Sequence, residues 1–181
     1  MMVPRCGGSD TVYSTTFMGY NEKTHNHHRE KRGSIAINAA SDYNFFPNAT
    51  AVNVDTQMLE FVCARAFVKW AAVSDFKFER SDDADEAADI QIEFLKRNDI
   101  GDARMDGPGG ILAYAFAPSD GRIYYDAEWR ESVAMHEMGH VLGLGHSFQP
   151  NSVMFPLLPV GTTKRHIHGD DVQAIRALYD F

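Results

Sequence analysis

The run His136-Glu137-Met138-Gly139-His140-Val141-Leu142-Gly143-Leu144-Gly145-His146 constrains this chain more than any other feature. Histidines one helical turn apart lie on the same face of a helix, so His136 and His140 can reach one metal ion. Glu137, beside the first of them, can hold a water at that ion and take its proton. A helix that simply continued would carry His146 away, so the chain must reverse before it. Gly143 can supply the reversal, because glycine accepts the left-handed conformation that ends helices. Three histidines then fill three corners of a tetrahedron and leave the fourth open to water or substrate, a catalytic arrangement.

The plain alternative is a helix with two surface histidines and a charge between them. The glycine and the third histidine at this spacing tell against it. Downstream, Ser152-Val153-Met154 can form a turn that places Met154 beneath the metal site, although a lone methionine is usually core filler.

At these residues the chain resembles the matrixins, the matrix metalloproteinases of the metzincin clan, and Ser147 after the third histidine is the matrixin form of the motif. In that family the turn at Met154 is the Met-turn. The likeness extends through Phe61 to Val73, Ala88 to Phe94, Asp106 to Ala113 and Asp170 to Ile175, and covers nearly everything from Ser34 to Phe181. It implies an α/β (α+β) catalytic domain: a twisted, mostly parallel five-stranded sheet, three helices, and a small lower subdomain holding His146 and Met154.

Pro4-Arg5-Cys6-Gly7-Gly8-Ser9-Asp10 is similar to the matrixin cysteine switch. A thiolate is a good zinc ligand, so Cys6 can take the fourth position and displace the water. The resemblance implies that Arg5 and Asp10 pair to hold this segment across the cleft. A Cys6–Cys63 disulfide is the competing reading, since a secreted chain can pair two cysteines. Against it, Cys63 falls at a helix position suited to a small core residue. Arg29-Glu30-Lys31-Arg32 has the form cut by furin-type convertases, and cleavage after Arg32 would release the leader. Basic clusters are also often only solvated loops. We therefore divide the chain into a leader, 1–32, and a catalytic domain, 33–181.

With 181 residues the chain is long enough to bury one core beside that leader. A net charge of -8 offers no basic face for nucleic acid, and no apolar run is long enough to span a membrane. No secretory signal opens the sequence, as expected for a piece of a secreted precursor. Asn48-Ala49-Thr50 is a glycosylation sequon, meaningful in a secreted protein. The expected setting is extracellular, as a monomer acting on protein or peptide substrates, with proteinaceous metalloproteinase inhibitors as further partners.

Periodicity predicts a helix over 55–72, with Met58, Leu59, Phe61, Val62, Ala66 and Val68 at helical spacing. It predicts strands at 76–79 and 90–94, a first strand at 34–40, and an edge strand at 111–116 after a glycine-rich turn. The active-site helix is expected over 128–142, with Asp126 a candidate cap, and a last helix over 170–178.

Matrixins usually carry a second, structural zinc, and the matching positions here read Ile100, Asp102, Tyr114 and Tyr124. Isoleucine cannot ligate, and neutral tyrosine replaces imidazole poorly around zinc. We therefore expect one catalytic zinc, with packing taking over where the second metal would sit. Asp106, Asp126 and Glu128, with carbonyls of the turn at Gly107, Gly109 and Ile111, resemble a matrixin calcium site, and Asp89 resembles a ligand of another. Carboxylates near glycine turns are also common as plain surface residues. His25, His27, His28, His166 and His168 are read as surface residues.

The activity implied is zinc-dependent peptide hydrolysis with Glu137 as general base. An extended peptide would pair with the edge strand around Ala113 to Ala115. The principal pocket would lie behind the active-site helix, with an apolar wall of Phe155, Pro156, Leu157 and Leu158. Three rival readings are a catalytically silent zinc-holding binding module, a domain without metal, and a different metzincin family. The intact Glu137 and histidines oppose the first, zinc analysis would exclude the second, and Ser147 with the cysteine-switch motif opposes the third.

Overall fold

The computed structural model describes residues 40–46, 56–81, 88–94, 111–125, 131–159 and 161–179. In chain order the elements are β1 (Ala40–Phe46), α1 (Thr56–Ala71), β2 (Lys77–Arg80), β3 (Ile90–Phe94), β4 (Ala113–Ala115), β5 (Arg122–Tyr125), α2 (Glu131–Val141) and α3 (Gly169–Tyr179). The five strands form one sheet in the order β2-β1-β3-β5-β4. The β1–β2, β1–β3 and β3–β5 pairs are parallel. Only β4 runs antiparallel, pairing Ala113 with Tyr125 and Ala115 with Ile123. Parallel neighbours cannot be joined by a hairpin, and α1 lies in the crossover between β1 and β2.

One side of α1 packs inward through Leu59, Cys63, Ala66, Phe67 and Trp70, spaced three and four apart. Tyr43 of β1 stacks on Phe67, and Phe67 continues onto Phe78 of β2. The indole of Trp70 donates to the Met135 carbonyl at 2.9 Å, tying α1 to α2. At the start of α2, Glu131 receives Lys69 at 2.6 Å and Arg65 at 3.2 Å.

Every residue of α2 from Ser132 to Val141 is buried. A helix covered on all sides is a core element rather than an amphipathic surface helix. Its polar side chains therefore sit where polar groups require specific partners. On its far side α3 closes the domain: Ile175 is buried, the Tyr179 hydroxyl donates to the Leu142 carbonyl at 2.9 Å, and the Tyr179 ring stands edge-on to Phe76.

Helix boundaries fall within three residues of expectation. β1 is Ala40–Phe46, and of the first strand expected at 34–40 all but Ala40 lies outside the described residues. Cross-strand pairing holds β1 at the middle of the parallel part of the sheet, where Tyr43 stands opposite both Arg80 and Ile90. β5 is a strand that periodicity does not place. It is four residues long, follows Gly121 in the left-handed region (φ 75°), and is held between β3 and β4. So short a run gives little periodic signal.

Candidate metal centre and cleft

α2 places His136 and His140 on one face, and the helix then ends abruptly. Gly143 adopts φ 86°, its N–H donates to the His140 carbonyl at 2.8 Å, and the Leu144 N–H reaches the Gly139 carbonyl at 2.9 Å. This paired closure around a left-handed glycine is the Schellman stop. It turns the chain so that His146 returns to the first two histidines.

The three side chains converge, with one ligand atom from each lying within 4.8 Å of the others. His140 Nε2 stands 3.1 Å from His136 Nε2 and 3.2 Å from His146 Nε2. These approaches are not hydrogen bonds. His136 Nδ1 faces the Val153 carbonyl at 2.7 Å and His140 Nδ1 faces the Leu144 carbonyl at 2.8 Å. A carbonyl only accepts, so both Nδ1 atoms carry the proton and both Nε2 atoms present lone pairs. Burial pushes His136 well below the ordinary imidazole range, and His140 beside it pushes the same way, so the ring stays neutral. Neutral imidazole lone pairs turned toward one another repel unless a cation lies between them. Nitrogens about 2.0–2.1 Å from a tetrahedral zinc stand about 3.3 Å apart, close to the observed separations. The donor set therefore fits one such ion, with carbonyls fixing the ring orientation behind it.

Beneath the histidines lies Met154, buried under Gly139. A Cβ at Gly139 would overlap the Met154 sulfur and stand 3.1 Å from the Trp70 ring, so only glycine lets α2 settle onto this floor. The turn around Met154 is held by Asp171 at the start of α3. Its carboxylate accepts from Val153 N at 2.9 Å, Met154 N at 3.1 Å, His168 N at 2.9 Å and the Ser152 hydroxyl. The Val153 carbonyl in turn orients His136. Asp171 thus reaches the metal centre through the backbone of the turn. From sequence it was only the opening of a helix, because nothing local relates it to residues so far back in the chain.

Glu137 is fully buried next to His136, and both line a pocket of about 340 Å³, counting the part open to solvent. Leu112, Val133, Val153, Phe155, Pro156 and Leu158 supply its apolar walls, and Ser132 and Lys164 its other polar groups. The Ser132 hydroxyl accepts from Lys164 N at 2.8 Å and donates to Lys164 O at 3.1 Å, pinning the outer wall to α2. Phe155 and Pro156 stand where the sequence reading put them. Leu158 lines the pocket with them, whereas Leu157 is 40% exposed.

Ala113 and Ala115 are in β4, the edge strand, with their side chains in the core. On the opposite face, Tyr114 and Tyr124 are cross-strand partners that pack with Phe116. Arg122 lies 4.7 Å from the Phe116 ring, bonds the Tyr124 hydroxyl at 3.1 Å and pairs with Asp120. Two positions matching the second zinc site thus belong to an aromatic and cationic cluster. Ile111 is half-buried beside β4, and Asp89 is exposed just before β3. Among the described residues, the three histidines are the one group placed to hold a metal. Cys63 is a free thiol in the core, pushed up to about 12 by burial against a smaller opposing effect of Tyr125. Cys6, Arg32, Asn48, Ile100, Asp102, Asp106, Gly107, Gly109, Asp126 and Glu128 lie outside the described residues.

A helix with two histidines, a glycine stop, a third histidine and a buried methionine floor defines the metzincin class of metal centre. The matrixin family profile matches residues 37–180, and the chain belongs to that family. It is 34% identical to metalloendoproteinase 1 of Glycine max, over 99% of this chain and 64% of the relative. It is 32% identical to metalloendoproteinase 2-MMP of Arabidopsis thaliana, over 99% of this chain and 55% of the relative. Human neutrophil collagenase is 33% identical over 75% of this chain and 31% of the relative. The chain therefore spans between half and two-thirds of the length of these plant proteins.

Proposed function

We propose that this chain is the catalytic part of a secreted zinc endopeptidase, with zinc on His136, His140 and His146 and Glu137 as general base. The observation behind this reading is the convergence of neutral imidazole lone pairs beside a buried carboxylate at the mouth of an apolar pocket. A bound zinc would supply Lewis-acid polarisation of the scissile carbonyl and a lowered pKa for water at the site. Glu137 takes the proton of the attacking water and later delivers it to the leaving amine. β4 at the sheet edge receives the peptide backbone as an added strand, and the pocket behind α2 takes the side chain that follows the cleaved bond. Val153 and Leu144 hold His136 and His140 in the ligating tautomer.

The same reading includes latency through Cys6, activation by cleavage after Arg32, glycosylation at Asn48, and calcium at Asp106, Asp126, Glu128 and Asp89 with the turn carbonyls. It includes a single zinc, supported by the packing of Tyr114 and Tyr124 against Phe116. Elemental analysis with peptidase assays of wild type and Glu137→Ala tests it. The expected result is one zinc per chain in both proteins, with activity reduced about 10²–10⁴-fold in the variant. Two zincs would overturn the single-metal assignment. One zinc without activity, even after removal of residues 1–32, would replace the enzyme by a zinc-holding binding module.

A further inference from the structure

The pocket behind α2 is apolar along its walls but contains a cation. Lys164 lines it together with Leu112, Val133, Phe155 and Leu158. The ammonium is steered there by three fixed contacts. The backbone of Lys164 is clamped at both N–H and carbonyl by the Ser132 hydroxyl. Its Nζ donates to the Ser152 carbonyl at 2.5 Å. It also lies 5.0 Å from the centre of the Phe155 ring, within cation–π range. An ammonium has three donors, and one hydrogen bond is made among the described residues, so donors remain for a ligand. The neighbouring residue is fixed as well: Lys69 Nζ donates to the Arg165 carbonyl at 2.5 Å while pairing with Glu131 of α2. The cation therefore has a defined position on the wall, on the same pocket as His136 and Glu137.

We propose that Lys164 is a specificity-determining residue: its ammonium receives the tip of a long substrate side chain that has an apolar stem and ends in an oxygen acceptor, glutamate or glutamine, immediately after the scissile bond. The inference rests on the endopeptidase reading and deepens it. The stem lies along Leu112, Val133 and Leu158 as any aliphatic chain would, and the tip meets the charge. A charge-assisted hydrogen bond of this kind is strong enough to alter selectivity by about tenfold or more. A wholly apolar pocket would instead penalise the oxygen, because a buried acceptor without a donor is costly.

The test is a set of otherwise identical peptides with Leu, Met, Gln, Glu or Lys after the cleaved bond. They are assayed with the zinc-loaded wild type, Lys164→Met and Lys164→Glu. Met matches Gln and Glu in length but lacks the oxygen acceptor, so it controls for the stem. The readout is the ratio of kcat/KM between peptides within each protein, which cancels any general loss of activity. Zinc content and thermal midpoint report folding separately. The expected result is a fall of about tenfold in the Glu-to-Met or Gln-to-Met ratio on Lys164→Met. Lys164→Glu should lower the Glu-to-Met ratio further and raise cleavage of a Lys peptide relative to Met. A shift confined to Glu assigns recognition to charge, and a shared shift assigns it to the hydrogen bond; both support the proposal. Unchanged ratios in both variants, with Leu and Met peptides still cleaved, overturn it. Wild type that cleaves none of the peptides would overturn the endopeptidase reading itself.

Discussion

Replacing Asp171 by alanine should weaken both the fold and the grip on zinc, although this side chain is not placed as a ligand. The carboxylate is buried and accepts from Ser152 Oγ, Val153 N, Met154 N and His168 N. Not all four donors would be stranded. Met154 N also bonds Ser152 Oγ at 3.0 Å, and His168 is part-buried, within reach of water. The full penalty falls on Val153 N and the Ser152 hydroxyl. At about 1–3 kcal/mol for each of these two buried unsatisfied donors, the total is about 2–6 kcal/mol, a large share of the stability of a typical domain. The same change frees the Val153 carbonyl, the partner of His136 Nδ1. Loss of such an outer partner typically weakens metal binding about 10–100-fold. Urea denaturation of the zinc-loaded protein measures the first quantity, and competition with a chromophoric chelator the second. Asp171→Asn, which keeps one acceptor oxygen, should fall between wild type and alanine in both. Alanine within 1 kcal/mol of wild type, with an unchanged zinc Kd, would refute the idea that this carboxylate holds the turn and, through it, the histidine.

Gly139→Ala should destabilise by about 1–3 kcal/mol, since the new methyl meets the Met154 sulfur and the Trp70 ring in a closed core. Thermal unfolding would show it, and an unchanged midpoint would mean that the floor yields freely. Cys63 should resist alkylation at pH 8 in the native state and react on unfolding. Its thiol, raised to about 12, gives a thiolate fraction of only about 10⁻⁴ there, and burial blocks the reagent as well. Rapid native labelling followed by mass spectrometry would contradict the core placement. Chelation of zinc should lower the melting temperature, because an ion bound only by the folded state stabilises it by mass action. A midpoint indifferent to chelator would argue against a metal on the three histidines.

Sequence by itself determined the elements whose signal is local. The metal-binding run, its glycine stop and α1, α2 and α3 were legible because helical periodicity and capping are read within a few turns. The apolar pocket wall was legible in Phe155, Pro156 and Leu158. What only the tertiary structure decided depends on partners distant in the chain. Pairing with β3 and β4 made a strand of β5. Of the four wall residues expected, folding left Leu157 facing solvent while Phe155, Pro156 and Leu158 line the pocket. Gly139 became necessary only once Met154 lay beneath it, and Lys164 joined the pocket only through Ser132. Asp171 became a support of the metal site only when α3 docked against the turn. Local hydrogen bonding and periodicity are encoded along the chain, whereas the duties of a buried carboxylate, a glycine or a pocket cation are set by what folding brings against them.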